Sequence, residues 1–137
     1  MTSPDTKRRF VLPSGWQDIE GALAWVEATA REMGGSERQQ FRTKLCSEEL
    51  LTNLLRHGKS APTVALTLQE GASRLTLTIE YGGAFFDPTQ APEGQPHEEL
   101  NDAQPGGWGL TLIRRFAEDF TYQHSRSRNL VQLSFLP

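Results

Sequence analysis

Apolar residues recur at steps of three and four in two long stretches of the first half of the chain, which predicts two amphipathic helices. The first stretch covers residues 16–33, between a candidate N-cap at Ser14 and a stop signal at Gly34 and Gly35. The second covers residues 37–57, behind a candidate N-cap at Ser36. Its predicted core stripe comprises Phe41, Leu45, Leu51, Leu54 and Leu55.

After these helices the pattern changes to alternation of apolar and polar residues, which is typical of half-buried strands. Residues 64–68 and 75–79 alternate on either side of a short Gly-containing turn, and this predicts a β-hairpin. A short first strand is predicted at residues 10–12. A closing pair of strands is predicted at residues 120–124 and 130–135, around a polar turn.

Between the hairpin and the closing strands, residues 82–107 show no period and are rich in Gly, Pro, Gln and acidic residues. A loop of this length in a compact domain is usually functional or mobile. It leads into a predicted helix at residues 109–118. The order β-α-α-β-β-loop-α-β-β predicts an α+β fold, a two-layer sandwich with helices on one face of a mixed, mostly antiparallel sheet. The 137 residues suit a single domain at 10–137 behind a flexible tail at 1–9.

Composition narrows the function classes. The net charge of −3 argues against strong electrostatic binding to nucleic acid. No apolar run approaches the roughly 20 residues of a membrane span, and the polar start of the chain does not resemble a secretory signal. The single cysteine, Cys46, excludes an internal disulfide and favours a cytoplasmic location. Because Cys46 lies within an apolar helical pattern, we interpret it as a small buried hydrophobe.

Three polar residues form a line along the second predicted helix. Glu49, Asn53 and His57 are spaced four apart, so they share one face of an otherwise leucine-rich helix. An Asn carbonyl oxygen suits Mg²⁺, and a carboxylate one turn earlier suits proton acceptance from a hydroxyl. Spacing alone, however, favours an ordinary polar stripe at a helix edge.

A second candidate site is the glycine-rich run that opens the third predicted helix, at residues 106–110. Glycines allow close backbone approach, and a helix N-terminus attracts anions, so this segment is a candidate phosphate cradle. Glycine-rich turns before helices are also common without any ligand. The chain contains neither a P-loop motif nor a Rossmann fingerprint. Trp108, inside the run, is a candidate anchor for a partner or ligand.

Together these segments resemble the GHKL ATPases, and in particular the anti-sigma-factor serine/threonine kinases. Residues 49–57 resemble the N-box, residues 83–88 the G1 box, and residues 106–110 the G2 box at the end of the ATP lid. The resemblance covers nearly the whole chain from Phe10 onward. It implies the Bergerat ATP-binding fold of histidine-kinase-like ATPase domains, with ATP and Mg²⁺ as cofactors.

The resemblance also implies roles for individual positions. Asn53 matches the Mg²⁺ ligand, Glu49 matches the general base, and Gly83 matches the glycine that lets adenine approach the strand end. The residues that match the lid hinge and phosphate cradle are Gly106, Gly107, Gly109 and Leu110.

Two features depart from the family pattern. Tyr81 stands where the G1 aspartate would accept a hydrogen bond from adenine, and a phenol is bulkier and uncharged. Glu80 is adjacent, but strand alternation directs it to the opposite face unless a bulge intervenes. The stretch that matches the lid is acidic, which would repel a triphosphate unless Mg²⁺ offsets the charge.

The resemblance implies a kinase that phosphorylates a serine or threonine of a STAS-domain antagonist, with a sigma factor or analogous regulator as its other partner. It also raises the expectation of a homodimer through the sheet edge. The alternative is a nucleotide-blind binding protein of the same fold, favoured by Tyr81 and the acidic loop. A detached catalytic half of a histidine kinase is a third reading, but it needs a phosphoacceptor helix pair that this sequence does not contain.

Overall fold

A computed structural model describes residues 6–12, 18–57, 63–82, 88–90 and 109–137; of residues 55–57, 90, 109 and 110 it describes the backbone alone. The elements are β1 (Thr6–Leu12), α1 (Ile19–Glu32), α2 (Glu37–His57), β2 (Val64–Gly71), β3 (Arg74–Gly82), a 3₁₀ turn (Pro88–Gln90), α3 (Gly109–Phe116), β4 (Asp119–Ser125) and β5 (Arg128–Phe135). No helix in the described ranges has both the length and the hydropathy of a membrane span.

The five strands form one sheet in the order β1-β2-β3-β5-β4, and each neighbouring pair is antiparallel. The predicted α+β class is therefore confirmed, and the described strands contain no parallel pair. Both predicted hairpins are present. Their two-residue turns place Ala72, Ser73, Arg126 and Ser127 at φ values of 55°, 64°, 53° and 61°, a left-handed conformation that glycine or asparagine adopts at lower cost.

The core lies between the sheet and the helices. Alternate residues of β3 and β5 face this core and are almost fully buried: Leu75, Leu77, Ile79, Tyr81, Val131, Leu133 and Phe135. The helices contribute the opposing apolar side chains, which include Val26, Leu50, Leu51 and Leu54. Burying an aliphatic side chain of this size stabilises the fold by about 1.5–3 kcal/mol.

The two long helices begin with different caps. In α1 the cap is Asp18, whose Oδ1 accepts a 2.8 Å hydrogen bond from the backbone of Gly21. The predicted start at residue 16 is therefore too early, and Ser14 lies outside the described residues. In α2, Ser36 Oγ accepts from the backbone of Gln39 at 3.0 Å while Gln39 Oε1 accepts from the backbone of Ser36 at 2.9 Å. This reciprocal capping box confirms the predicted cap at Ser36.

Two sequence predictions need correction, one about the start of β1 and one about the buried face of α2. The first strand begins at Thr6, so residues 6–9 pair with β2 instead of forming part of a tail. Phe41 was predicted to lie in the core of α2, but 64% of it is exposed. The buried residues in this half of the helix are small or polar: Gln39, Thr43, Cys46 and Ser47. The burial of Leu51 and Leu54 confirms the rest of the stripe that the structure describes, with Leu45 half-buried, and hydropathy fails only at Phe41.

Candidate functional site

The polar line on α2 contains a buried oxygen that lacks a partner. Asn53 is 2% exposed, and within the described part of the chain its Oδ1 has no hydrogen-bond donor. Leaving a buried acceptor unsatisfied costs about 1–3 kcal/mol, so such an atom calls for an explanation. A ligand that binds this oxygen would remove the cost.

Glu49 lies one turn before Asn53 on the continuous helix α2 and is half-buried. Its charge also affects its neighbour Cys46. Burial raises the pKa of the Cys46 thiol to about 12, with Arg42 lowering it and Glu49 raising it by smaller amounts. The thiol is therefore protonated at neutral pH, as expected for a buried hydrophobe. The third residue of the line, His57, has its backbone in the helix, and its side chain lies outside the description.

At the end of β3, Tyr81 belongs to the core and is 4% exposed. Its strand pairs without interruption through Gly82, so no bulge brings Glu80 to the same face. Glu80 instead pairs with Arg128 on the opposite face, at 2.7 Å. Tyr81 is therefore the residue that β3 presents to the core at the position predicted to contact the base.

Sequence reasoning missed Asn129, which lies directly opposite Tyr81 in β5. Asn129 is fully buried, its Nδ2 donates to the backbone oxygen of Tyr81 at 3.2 Å, and its Oδ1 accepts from the hydroxyl of Tyr122. The signal was present in the sequence, because alternation in β5 puts this amide on the same face as Val131 and Leu133. An amide on the apolar face of a central strand marks a polar spot in the core.

Sequence reasoning also left Arg114 without a role. From the last turn of α3, Arg114 Nη2 donates to the backbone oxygen of Thr89 at 2.8 Å. This contact connects α3 to the 3₁₀ turn, which begins at Pro88, the last residue of the segment resembling the G1 box. The backbone confirms that a helix begins at Gly109, whereas Gly83, Gly106, Gly107 and Trp108 lie outside the described residues, as does the side chain of Leu110.

The two described ends of the candidate site differ in their fit to Mg-ATP. The unsatisfied oxygen of Asn53 is a hard neutral donor, so it fits a Mg²⁺ ion that shares its shell with phosphate oxygens and water. At the Tyr81 end the described groups are the phenol and an amide already engaged by two neighbours. The phosphate end thus fits the cofactor, and among the described residues the base end carries no carboxylate to accept a hydrogen bond from adenine.

Comparison with known proteins identifies the family of the chain. The sequence model of one protein family, the histidine kinase-like ATPase domain, matches residues 12–135 of this chain. The chain is 36% identical, over 82% of its length and 82% of the relative's, to the serine/threonine-protein kinase BtrW of Bordetella bronchiseptica. It also resembles a chain in the crystal structure of the SiaB–SiaC complex from Pseudomonas aeruginosa, with a TM-score of 0.61 at 14% identity, covering 93% of this chain and 88% of that one. The protein belongs to the family of histidine kinase-like ATPase domains.

Proposed function

We propose that this protein binds Mg-ATP and phosphorylates a serine or threonine of a STAS-domain antagonist, as part of a partner-switching system with a sigma factor or analogous regulator. The observation that carries the proposal is the buried, unsatisfied Asn53 oxygen one turn after a half-buried carboxylate. The 36% identity to a protein named as a serine/threonine-protein kinase supports it.

In this proposal the residues of α2 divide the work. Asn53 holds Mg²⁺, which when bound would neutralise charge on the phosphates. Glu49 accepts the proton of the acceptor hydroxyl as the hydroxyl oxygen bonds to the γ-phosphorus and ADP leaves. Gly83 has the proposed role of contacting adenine. The proposed phosphate cradle comprises Gly106, Gly107, Gly109 and Leu110.

Calorimetric titration with ATP in the presence of Mg²⁺ tests the binding step. We expect the wild type to bind and Asn53→Ala to bind at least about tenfold more weakly, a loss of about 1.4 kcal/mol. Asn53→Asp is the matched control, because it keeps an oxygen ligand for the metal. If Asn53→Ala binds Mg-ATP as tightly as the wild type, Asn53 is not the metal ligand.

Transfer of the γ-phosphoryl group to purified STAS-domain proteins of the source organism tests the chemical step. Glu49→Gln should retain ATP binding and lose about 100-fold in transfer rate, since general-base catalysis contributes on that scale. Labelling that survives this substitution would remove Glu49 from the base role.

A second candidate function is a regulator of the same fold that binds partners without nucleotide, and the burial of Tyr81 favours it. A phenol that packs in the core takes the place of the carboxylate that reads adenine in related proteins. Titration of Tyr81→Asp, with a thermal melt to establish folding, separates the two candidates. Binding of ATP by the variant alone would show that the scaffold is intact and that base recognition is lost in the wild type.

A homodimer and a cytoplasmic location stay predictions. Sedimentation equilibrium of the purified chain measures the first. Fractionation of cells that express the protein measures the second.

A further inference from the structure

A groove follows one face of α2 and is bordered by one residue of α1. Its volume is about 320 Å³. It is lined by Glu27 of α1 and by Glu37, Gln40, Phe41, Lys44, Leu45 and Glu48 of α2. We call it the Phe41 groove.

The apolar part of the Phe41 groove consists of two side chains one turn apart. Phe41 is the most exposed large apolar residue in the described ranges, at 64%, and Leu45 is half-buried beside it. Full burial of an aromatic ring of this size is worth about 1.5–3 kcal/mol, so a ring left in water keeps much of that energy available for association. These two apolar side chains favour association with another apolar surface, but they do not identify the molecule that would bind in the groove.

The charges around the groove identify its chemistry. Lys44 is already paired with Glu27, at 3.5 Å between Nζ and Oε1. Glu37 and Glu48 are exposed, and neither forms an ion pair with any residue that the structure describes. They stand eleven residues apart on one helix, about 16 Å, so an unpaired carboxylate lies toward each end of the apolar floor.

We propose that the Phe41 groove docks an amphipathic helix of a partner protein, with apolar residues against Phe41 and Leu45 and a lysine or arginine toward each end. A helix fits because a third helix packs naturally into the groove between two others, and about three turns span the distance from Glu37 to Glu48. Cations fit because two unpaired carboxylates flank the floor, whereas an acidic segment would be repelled.

This proposal does not rest on the proposed kinase function. The residues of the groove lie on the outer side of α2, while Asn53 is buried against the core. Binding in the groove is therefore measured without nucleotide, and its failure leaves the ATP experiments unaffected. Glu48, at one end of the groove, precedes the candidate base Glu49 in the chain.

The probe is a fluorescein-labelled 15-residue helical peptide with two lysines eleven positions apart and leucines at helical spacing between them. The matched probe has glutamates in place of the lysines. Fluorescence anisotropy measures the affinity of each peptide for the full chain without nucleotide. The groove variants are Phe41→Ser and the pair Glu37→Lys with Glu48→Lys.

The control pair is Glu20→Lys with Glu118→Lys, which makes the same charge change at two residues that do not line the groove. Glu20 lies in the first turn of α1 as Glu37 does in α2, so the effect on the helix dipole is matched. We expect the basic peptide to bind at least about tenfold more tightly than the acidic one. Each groove variant should lose about tenfold in affinity, and the control pair should change little.

Three results would overturn the proposal. The first is equal binding of the basic and acidic peptides, or no binding of either at millimolar concentration. The second is loss of binding in the control pair equal to that in the groove pair. The third is a dimer of the chain alone that Phe41→Ser dissociates in sedimentation equilibrium, since a second copy would then occupy the groove.

Discussion

Each end of α2 buries a side-chain amide, and the two amides differ in their hydrogen bonding. Near the start, Gln39 is 3% exposed and fully engaged: its Oε1 accepts from Ser36, and its Nε2 donates to the backbone oxygens of Ser73 and Phe135, both at 2.9 Å. Near the end, Asn53 is equally buried, and its Oδ1 has no donor in the described chain. The amide of Gln39 connects three segments of the fold. The amide oxygen of Asn53 is left without a hydrogen bond from the described residues.

This difference separates a residue that stabilises the fold from a residue of the proposed metal site along a single helix. A fully satisfied buried amide stabilises the fold and fixes how the chain packs. An unsatisfied acceptor costs folding free energy, and a ligand that bonds to it would offset that cost. Cys46 lies seven residues from each amide, so the three positions share one face of α2 and the thiol can report on both ends.

The largest expected effect is on the Gln39 end. Gln39→Met keeps the volume but leaves the carbonyls of Ser73 and Phe135 without their donor, so we expect a loss of about 2–4 kcal/mol in unfolding free energy. Urea denaturation followed by circular dichroism measures it. Gln40→Met is the control, because Gln40 makes one bond, to the backbone of Gly35, and is only half-buried. A similar loss in both variants would contradict the special role of Gln39.

The next effect concerns ligand protection of Cys46. Since burial raises the pKa of this thiol to about 12, labelling at pH 8 requires opening of the helix face. If Mg-ATP binds at Asn53, a concentration of 100 times Kd should slow labelling about 100-fold, equivalent to about 2.7 kcal/mol. Asn53→Ala should abolish the protection. If Mg-ATP leaves the labelling rate of Cys46 in the wild type unchanged, the predicted protection is wrong.

The same thiol gives a dependence on pH. Its folded pKa lies above the ordinary value of 9.0, so its contribution to stability is fully present below pH 9 and is lost as pH rises toward 12. Cys46→Ala removes that component, and urea midpoints from pH 8 to 10.5 for the two proteins measure the difference. Parallel pH profiles would show that the thiol is not buried in solution.

Asn53→Ala should change stability much less than Gln39→Met, by less than about 1 kcal/mol without ligand. Removing the amide deletes an unsatisfied acceptor, and this gain offsets the lost packing. The measurement is the same urea titration, without Mg²⁺ and nucleotide. A loss of more than about 2 kcal/mol would indicate that the Asn53 oxygen is engaged in the folded protein and is not free for a ligand.

The smallest expected effect on stability concerns the turn at Ala72 and Ser73, where the backbone oxygen of Ser73 accepts a hydrogen bond from Gln39. Ala72 and Ser73 both adopt positive φ, so replacing them with Asn and Gly should stabilise the protein by about 0.5–1 kcal/mol. The equivalent change of Arg126 and Ser127 is the control, since no contact to Gln39 is present there. Thermal melts measure both. Destabilisation at residues 72 and 73 alone would mean that the bond to Gln39 depends on the native side chains.

Most of the fold followed from the sequence because its elements are strongly periodic. The alternation in β3 predicted both the strand and the face of Tyr81, and the helical spacing placed Glu49 and Asn53 on one continuous helix. The capping box at Ser36 was also readable, because it is a local pattern of four residues. Signals of this kind depend on neighbours in the chain.

What the sequence did not predict depends on contacts between distant segments. The buried amide of Gln39 reaches residues 34 and 96 positions away, and Arg114 reaches a carbonyl 25 positions away. Phe41 was misplaced for the same reason, since the packing of α2 against its neighbouring elements decides which of its residues are covered. The unsatisfied state of the Asn53 oxygen is likewise a property of the assembled core.

The charges of β1 bear on how this chain meets other copies of itself. β1 is one outer edge of the sheet, and it carries Lys7, Arg8 and Arg9 in succession, with Arg8 paired to Glu32 at the end of α1. Two such edges aligned antiparallel would bring rows of cations together, which disfavours continuous sheet formation between molecules. Among the described strands, the β1 edge therefore disfavours pairing between two copies, and a homodimer through this edge would have to offset the repulsion.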